Sequence, residues 1–274
     1  MNRLPFFKMS GSGNDFIIVD NRRQRIPEEM LQRIIVGACR RKMSVGADGF
    51  ILVEESRQVD FKWRFFNADG SRAEMCGNGA RCVSRFAFLN NIAGTRMSFE
   101  TDAGVIAAEV VEDRVKIKMT DPMDLKEDLT LHSENDTVSY AFINTGVPHA
   151  VIRVADLESV DVVGKGRTVR FHEAFGPAGT NVNFMCTKGN NELAIRTYER
   201  GVENETLACG TGSVAAALIA TRQDNLVSPV TVTPRSGQPL RIFFQQDGLS
   251  FTDVFLEGDA RVVYTGELWG EAWK

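Results

Sequence analysis

A chain of 274 residues is long enough for two modest domains. It is 43% hydrophobic and 25% charged, and a net charge of −4 without a Lys/Arg-rich run leaves no footprint for nucleic acid or an anionic membrane. No apolar run is long enough to span a bilayer, and the opening MNRLPFFKMSGSG lacks a secretory core, so the expected location is the cytoplasm.

In chain order, a polar turn at Gly13-Asn14-Asp15 precedes a strand-like run at 16–20. A helix is expected from Pro27-Glu28-Glu29 to about Arg41, with proline near its first position and acids in its first turn. Strands follow at 50–54 and 61–66. Cys76-Gly-Asn-Gly79 then leads into the apolar run 83–89, and further strands are expected at 105–111 and 115–119. The polar stretch 122–135 reads as a connector and domain boundary, giving domains 1–121 and 122–264, with the tail 265–274 returning to the first. In the second half, strands are expected at 138–143, 151–154, 182–186, 193–198, 240–244 and 249–255. Cys209-Gly-Thr-Gly212 leads into 213–220, which is apolar all round and therefore a buried helix.

Cys76 and Cys209 are 133 positions apart (209 − 76), as are Asp48 and Asn181 (181 − 48), while Asp15 and His149 are 134 apart (149 − 15). The shared order and spacing argue for a duplicated unit of about 130 residues, too long for a solenoid repeat. The expected fold is α+β, with two pseudo-symmetric domains. Each is a mixed, mostly antiparallel sheet around a central buried helix, and the active site lies in the cleft between them.

A cysteine just before a helix start sits where unpaired backbone N–H groups and the helix dipole favour a thiolate. The following glycine admits a ligand to the backbone, and those N–H groups can hold a carboxylate. Two such sites suit a proton removed from one face of a carbon and returned on the other. Cys39, Cys82 and Cys186 read as small buried hydrophobes. The odd cysteine count, without a CxxC pair or His cluster, suggests neither a disulfide framework nor a metal site. Gly210-Thr-Gly212-Ser-Val-Ala215 fits a loose dinucleotide fingerprint, but no apolar strand precedes it. A Cys–His hydrolase using His149 would not explain two equivalent cysteines.

The segments Met9-Ser-Gly-Ser-Gly-Asn-Asp-Phe16, Phe66-Asn-Ala-Asp-Gly-Ser71, Cys76-Gly-Asn-Gly-Ala-Arg-Cys82, Pro148-His149 and Tyr198 to Gly212 resemble the diaminopimelate epimerase family, in the family's order. The resemblance implies a pyridoxal-independent, metal-free enzyme. Cys76 and Cys209 would be its acid/base pair, with Cys209 accepting and Cys76 donating in the LL to meso direction. Gly77-Asn78 and Gly210-Thr211 would form the carboxylate cradles. Asn14, Asn67, Asn181, Glu199 and Arg200 would bind the rest of diaminopimelate, His149 would support the site, and Tyr264 would lie at a homodimer interface. The chain departs from the family's pattern at Val147, where asparagine is frequent before Pro-His, and at Gly49, where a polar residue is frequent after Asp48. The alternatives are a racemase of another amino acid, such as histidine, and a non-catalytic amino-acid-binding module. The presence of both cysteines argues against the module.

Overall fold

A computed structural model describes residues 3–132 and 137–274. The chain divides into two compact units: Met1–Ile117 with Gly258–Lys274, and Lys118–Glu257. The expected division is at 121/122 with a returning tail of 265–274; the units instead divide at 117/118 and 257/258, where β-strands cross both boundaries.

The first unit contains β1 (Arg3–Gly11), β2 (Asn14–Asp20), α1 (Glu28–Cys39), β3 (Gly49–Glu54), β4 (Phe61–Asn67), β5 (Arg72–Ala73), α2 (Gly77–Leu89), β6 (Arg96–Thr101), β7 (Gly104–Val111) and β8 (Arg114–Lys118). The second contains β9 (Met123–His132), β10 (Thr137–Asn144), β11 (Pro148–Arg153), α3 (Val162–Arg170), β12 (Asn181–Gly189), β13 (Glu192–Glu199), β14 (Asn204–Thr206), α4 (Gly210–Asp224), β15 (Val230–Thr233), β16 (Leu240–Asp247) and β17 (Ser250–Asp259). The chain closes with β18 (Arg261–Trp269) and a short turn of helix, Gly270–Trp273.

Strand pairing repeats element by element. In the first unit β2–β3 is parallel, β3–β4 antiparallel, β4–β6 parallel and β6–β7 antiparallel. In the second, β11–β12, β12–β13, β13–β15 and β15–β16 follow the same sequence of senses. The repeat extends to the edges: β18 lies antiparallel on β1, and β9 lies antiparallel on β10. The duplication inferred from three landmarks is thus carried by the whole topology.

Each unit has one helix enclosed by its sheet. α2 packs on β1, β2, β3 and β7, and α4 on β10, β11, β12, β13, β15 and β16. Every residue from Gly212 to Thr221 is buried, because this helix has no polar face to present to water. Its hydroxyls are satisfied internally, Ser213 Oγ donating to Cys209 O at 2.9 Å and Thr221 Oγ1 to Ala217 O at 2.9 Å. A second helix covers the other side of each sheet. α1 joins Phe50, Leu52 and Phe66 in one apolar cluster, and α3 joins Val182, Phe184 and Tyr198 in the other.

Several elements differ from the sequence expectation. The supposed connector is largely β9, whose polar residues alternate outward while Leu131 is buried; residues 133–135 of that stretch lie outside the described residues. α1 ends at Cys39 rather than near Arg41, as Gly46 N and Ala47 N take up the carbonyls of Ala38 and Cys39. β1 was hidden by Pro5, which pairs with Glu267 of β18 in a stretch that β2 does not reach. α3 was hidden by two glycines, yet Gly166 lies so close to Tyr198 that an added Cβ would sit 2.5 Å from the tyrosine Cβ.

Gly37 of α1 meets the closing turn just as tightly. A Cβ there would lie 2.4 Å from Trp273 Cα. Gly37→Ala is expected to cost about 1–3 kcal/mol through overpacking, read as a lower urea midpoint with an unchanged slope.

Candidate active site

Cys76 and Cys209 each occupy the position immediately before a central helix. Both have extended backbone, with φ −146 and ψ 117 at Cys76 and φ −111 and ψ 112 at Cys209. Neither side chain caps its helix, so the first-turn N–H groups receive no bond from it. The glycines behind the cysteines have different reasons. At Gly77 an added Cβ would meet nothing nearer than Ile117 Cδ1 at 3.8 Å, so packing alone does not demand glycine. At Gly212 it would fall 2.3 Å from Asn183 Oδ1, so packing does.

In the first unit, Cys76 Sγ lies 3.5 Å from Asn14 Oδ1, and Asn78 Nδ2 reaches the same oxygen at 3.4 Å. Asn14 Nδ2 donates to Asp48 Oδ2 at 2.8 Å. Asp48 and Asp15 are both clasped by Arg41, and Asp15 also pairs with the buried Lys8 at 2.7 Å. Burial opposes ionisation of Asp15, but the bonds from Lys8 and Arg41 outweigh it and hold the carboxyl at about 2. Asn67, at the end of β4, donates to Ser71 Oγ at 3.0 Å.

In the second unit, Cys209 is buried, and its Sγ lies 3.5 Å from Thr211 Oγ1. The Thr211 carbonyl accepts from Thr145 Oγ1 at 3.0 Å, and a Cβ at Gly210 would come within 3.3 Å of Leu256. Asn181 ties two loops: its Nδ2 donates to Pro148 O at 3.1 Å and its Oδ1 accepts from Arg200 N at 2.8 Å. Arg200 Nη1 donates to Ala178 O at 3.3 Å. Glu199, ending β13, accepts from Thr206 Oγ1 at 2.9 Å; burial raises its carboxyl, and the Thr206 bond only partly offsets this. Val147 contributes its carbonyl, which accepts from Thr145 N at 3.2 Å. Tyr264 stands on β18, 44% exposed, with its ring edge-on to Phe6.

His149 is fully buried. Asn183 Nδ2 donates to its Nδ1 at 3.1 Å and to Ala150 O at 3.2 Å, and Asn183 Oδ1 accepts from Thr197 Oγ1 at 2.9 Å. The ring therefore carries its proton on Nε2, which has no partner among the described residues. Burial, reinforced by the Arg200 guanidinium, holds the imidazole down at about 3.

Strand register changes which residues correspond. The parallel pair Phe16 and Gly49 in β2–β3 is matched by His149 and Asn181 in β11–β12. The landmarks Asp15 and Asp48 are thus each one residue off, and a one-residue slip exchanges sheet faces. Below the start of α2 lie Phe16, Ile51 and Phe65, an apolar layer; below the start of α4 lie His149, Asn183 and Thr197, a polar one. The same register explains Gly49. A Cβ there would lie 2.6 Å from the Phe65 ring and 3.0 Å from Phe66 O, so the aromatic layer leaves no room for a side chain.

Asp48, Arg81, Asn183 and Thr197 were not singled out as site residues from sequence. Arg81, three residues after Asn78 and on the same helix face, carried the one readable signal. Cys39 and Cys82 are buried, and burial pushes the Cys39 thiol up to about 12 and the Cys82 thiol up as well; Cys186 is partly exposed. Among the described residues no cluster of three or more His, Cys, Asp or Glu side chains could hold a metal ion. A cavity of about 350 Å³ in the second unit, bordered by Met123, Leu125, Glu127, Ile143 and Phe251, is lined by none of the candidate residues.

The fold is a two-unit, sheet-dominated α+β fold shared with solved phenazine-biosynthesis and epimerase proteins. A phenazine biosynthesis protein of the PhzF family from Bacillus anthracis superposes with a TM-score of 0.75 at 17% identity, covering 98% of this chain and 99% of that one. A hydroxyproline epimerase from Agrobacterium vitis superposes at 0.70 with 14% identity, covering 99% and 94%. These likenesses concern the fold alone. In sequence, a family model described as diaminopimelate epimerase matches residues 6–125 and 141–263. A diaminopimelate epimerase from Aquifex aeolicus is 45% identical over 276 residues, covering 97% of this chain and 98% of the relative. The chain belongs to the diaminopimelate epimerase family.

The buried His149 makes a signed prediction. Its folded value near 3 lies below the ordinary 6.5, so between these pH values the unfolded chain binds the extra proton. Its contribution is fully present above 6.5 and is lost on acidification by up to about 1.4 kcal/mol per pH unit. Urea unfolding across this range should show a slope shallower by about one proton in His149→Gln.

Proposed function

We propose that the protein interconverts LL- and meso-diaminopimelate by two-thiol proton transfer, with Cys76 and Cys209 as the proton carriers. The observation that carries this reading is the duplicated position of the two cysteines. Each stands before a glycine-opened helix with no side-chain cap, within a chain of the diaminopimelate epimerase family. In the LL to meso direction the Cys209 thiolate takes the α-proton, the Cα–H electron pair passes into the carboxylate, and Cys76 returns a proton to the opposite face. The reverse reaction exchanges the two roles. First-turn N–H groups at Gly77-Asn78 and Gly210-Thr211 hold the carboxylate as it gains charge.

For the distal end of the substrate, Arg200 suits a carboxylate and Glu199 an ammonium, with Asn14, Asn67 and Asn181 supplying donors and acceptors. The raised Glu199 carboxyl supports this, since an incoming ammonium would compensate a buried carboxylate. Gly49 and Val147 offer no polar side chain, so selectivity for diaminopimelate rests on the other residues. We place the reaction in lysine and peptidoglycan precursor synthesis in the cytoplasm. No helix among the described residues is long and apolar enough to cross a membrane. We further propose a homodimer using β18, supported by the exposure of Val263, Tyr264 and Trp269.

Exchange of the substrate α-proton with deuterated solvent tests the reaction directly. LL-diaminopimelate should exchange and epimerise; exchange of another amino acid in its place would move the reading to a different racemase, and binding without exchange would leave only a binding module. Cys76→Ala and Cys209→Ala should each lower epimerisation by about 10²–10⁴-fold while leaving the thermal midpoint nearly unchanged. Tyr264→Glu should shift the sedimentation coefficient from dimer to monomer, and a monomeric native protein would contradict the proposed assembly.

A further inference from the structure

We propose that Asp48 and Arg81 are positioning residues that fix the orientation of two side-chain amides, Asn14 and Asn78, and thereby hold a hydrogen-bond acceptor against the Cys76 thiol. The inference rests on reading Cys76 as one of the proton carriers, and it adds what sets the form in which that thiol waits.

The four side chains form a directed relay. Asp48, paired with the Arg41 guanidinium, presents only acceptors. Its Oδ2 takes Asn14 Nδ2 at 2.8 Å and Asp15 N at 3.2 Å, while its Oδ1 takes Arg41 Nη2 at 2.9 Å. At the far end Arg81 can only donate. Its Nη2 reaches Asn78 Oδ1 and Ser12 Oγ, both at 2.9 Å, and its Nε reaches Asp259 O at 3.1 Å. Between these ends Asn78 Nδ2 points to Asn14 Oδ1 at 3.4 Å. Turning Asn14 over would set its carbonyl against the Asp48 carboxylate. Turning Asn78 over would set its NH₂ against the Arg81 guanidinium. One arrangement alone gives both amides complementary partners, and in it Asn14 Oδ1 faces Cys76 Sγ at 3.5 Å. An acceptor at that distance favours S–H over thiolate.

The charged groups around this end of α2 are Lys8 and Asp15 from β1 and β2, Arg41 and Asp48 from the segment joining α1 to β3, Arg81 on the helix, Arg114 of β8 and Asp259. The positive members favour a thiolate; the carboxylates of Asp15, Asp48 and Asp259, together with the oriented amide, favour the protonated thiol. The positions that carry the relay in the first unit are occupied differently in the second. Counting from the cysteine, Thr211 stands where α2 has Asn78, and Val214 where it has Arg81. The hydroxyl near Cys209 can either donate or accept. The relay thus makes the two thiols unlike before substrate arrives.

The test is the alkylation of Cys76 by iodoacetamide at neutral pH in the native protein, followed by peptide mass spectrometry. Cys209 in the same digests is the reference. Asp48→Asn lets the Asn14 amide turn its N–H toward the sulfur, and Cys76 alkylation should rise by about three- to tenfold relative to Cys209. Asp48→Glu keeps an acceptor-only partner and should restore the native ratio. An unchanged ratio in folded Asp48→Asn, or an equal rise in both variants, would overturn the proposal. If Asp48→Asn does not fold, the infrared S–H band of the native protein, assigned by its loss in Cys76→Ala, decides. The band should be present at neutral pH and lowered by hydrogen bonding, and its absence would overturn the relay. Loss of α-proton exchange in the native enzyme would instead count against the two-thiol reading, leaving these thiol measurements independent.

Discussion

A helix with no polar face has to be enclosed on every side. That constraint organises the second half of this protein around α4, and α2, exposed only toward its end at Phe88 and Leu89, holds the same place in the first half. Enclosure leaves the ends as the places where such a helix can offer unpaired backbone groups. At the N-terminal end these are donors with the positive end of the helix dipole behind them. A cysteine placed there, followed by glycine, combines a thiol with an anion cradle without any loop being built for the purpose. The eight-residue apolar run behind Cys209 and the place of Cys209 before an open helix start are consequences of the same packing requirement.

Duplication gives the two units the same topology, but the layer beneath each helix start has diverged. Phe16, Ile51 and Phe65 are replaced at equivalent places by His149, Asn183 and Thr197. A buried polar layer is tolerable when its members satisfy one another, and Asn183 does most of this by bonding to His149, Ala150 and Thr197 at once. In the first unit polarity is displaced to the rim, where Lys8, Asp15, Arg41 and Asp48 form a charge network beside Asn14. The two thiols therefore stand on like backbones in unlike surroundings.

Some of this was legible in the sequence because periodicity and exclusion act locally. The all-apolar run 213–220 reports a buried helix on its own, and the proline-acid start of α1 marks a helix N-terminus without any distant partner. The strands that were missed depend on partners far away in the chain. β1 carries a proline tolerated only because β2 pairs further along, and β9 is polar because only one of its faces is covered. The site shows the same division. Cys76, Cys209 and their glycines announce themselves by repetition. Asp48 and Arg81 become meaningful only when Asn14 and Asn78 stand between them. The repeat is visible in the shared offset of its landmarks, but Asp15 and Asp48 each fall one residue from the true correspondence, because turn similarity does not fix which face a strand residue occupies.

Gly49 shows how far such a local change reaches. In register it corresponds to Asn181, whose amide ties Pro148 to Arg200. No side chain at position 49 could make a similar tie, since the rings of Phe16 and Phe65 and the carbonyl of Phe66 already fill the space. Restoring a polar group there would require shrinking the aromatic layer under α2, and with it the packing that supports Gly79 and the first turn of the helix. The choice of residue at position 49 is therefore coupled to the geometry at Cys76.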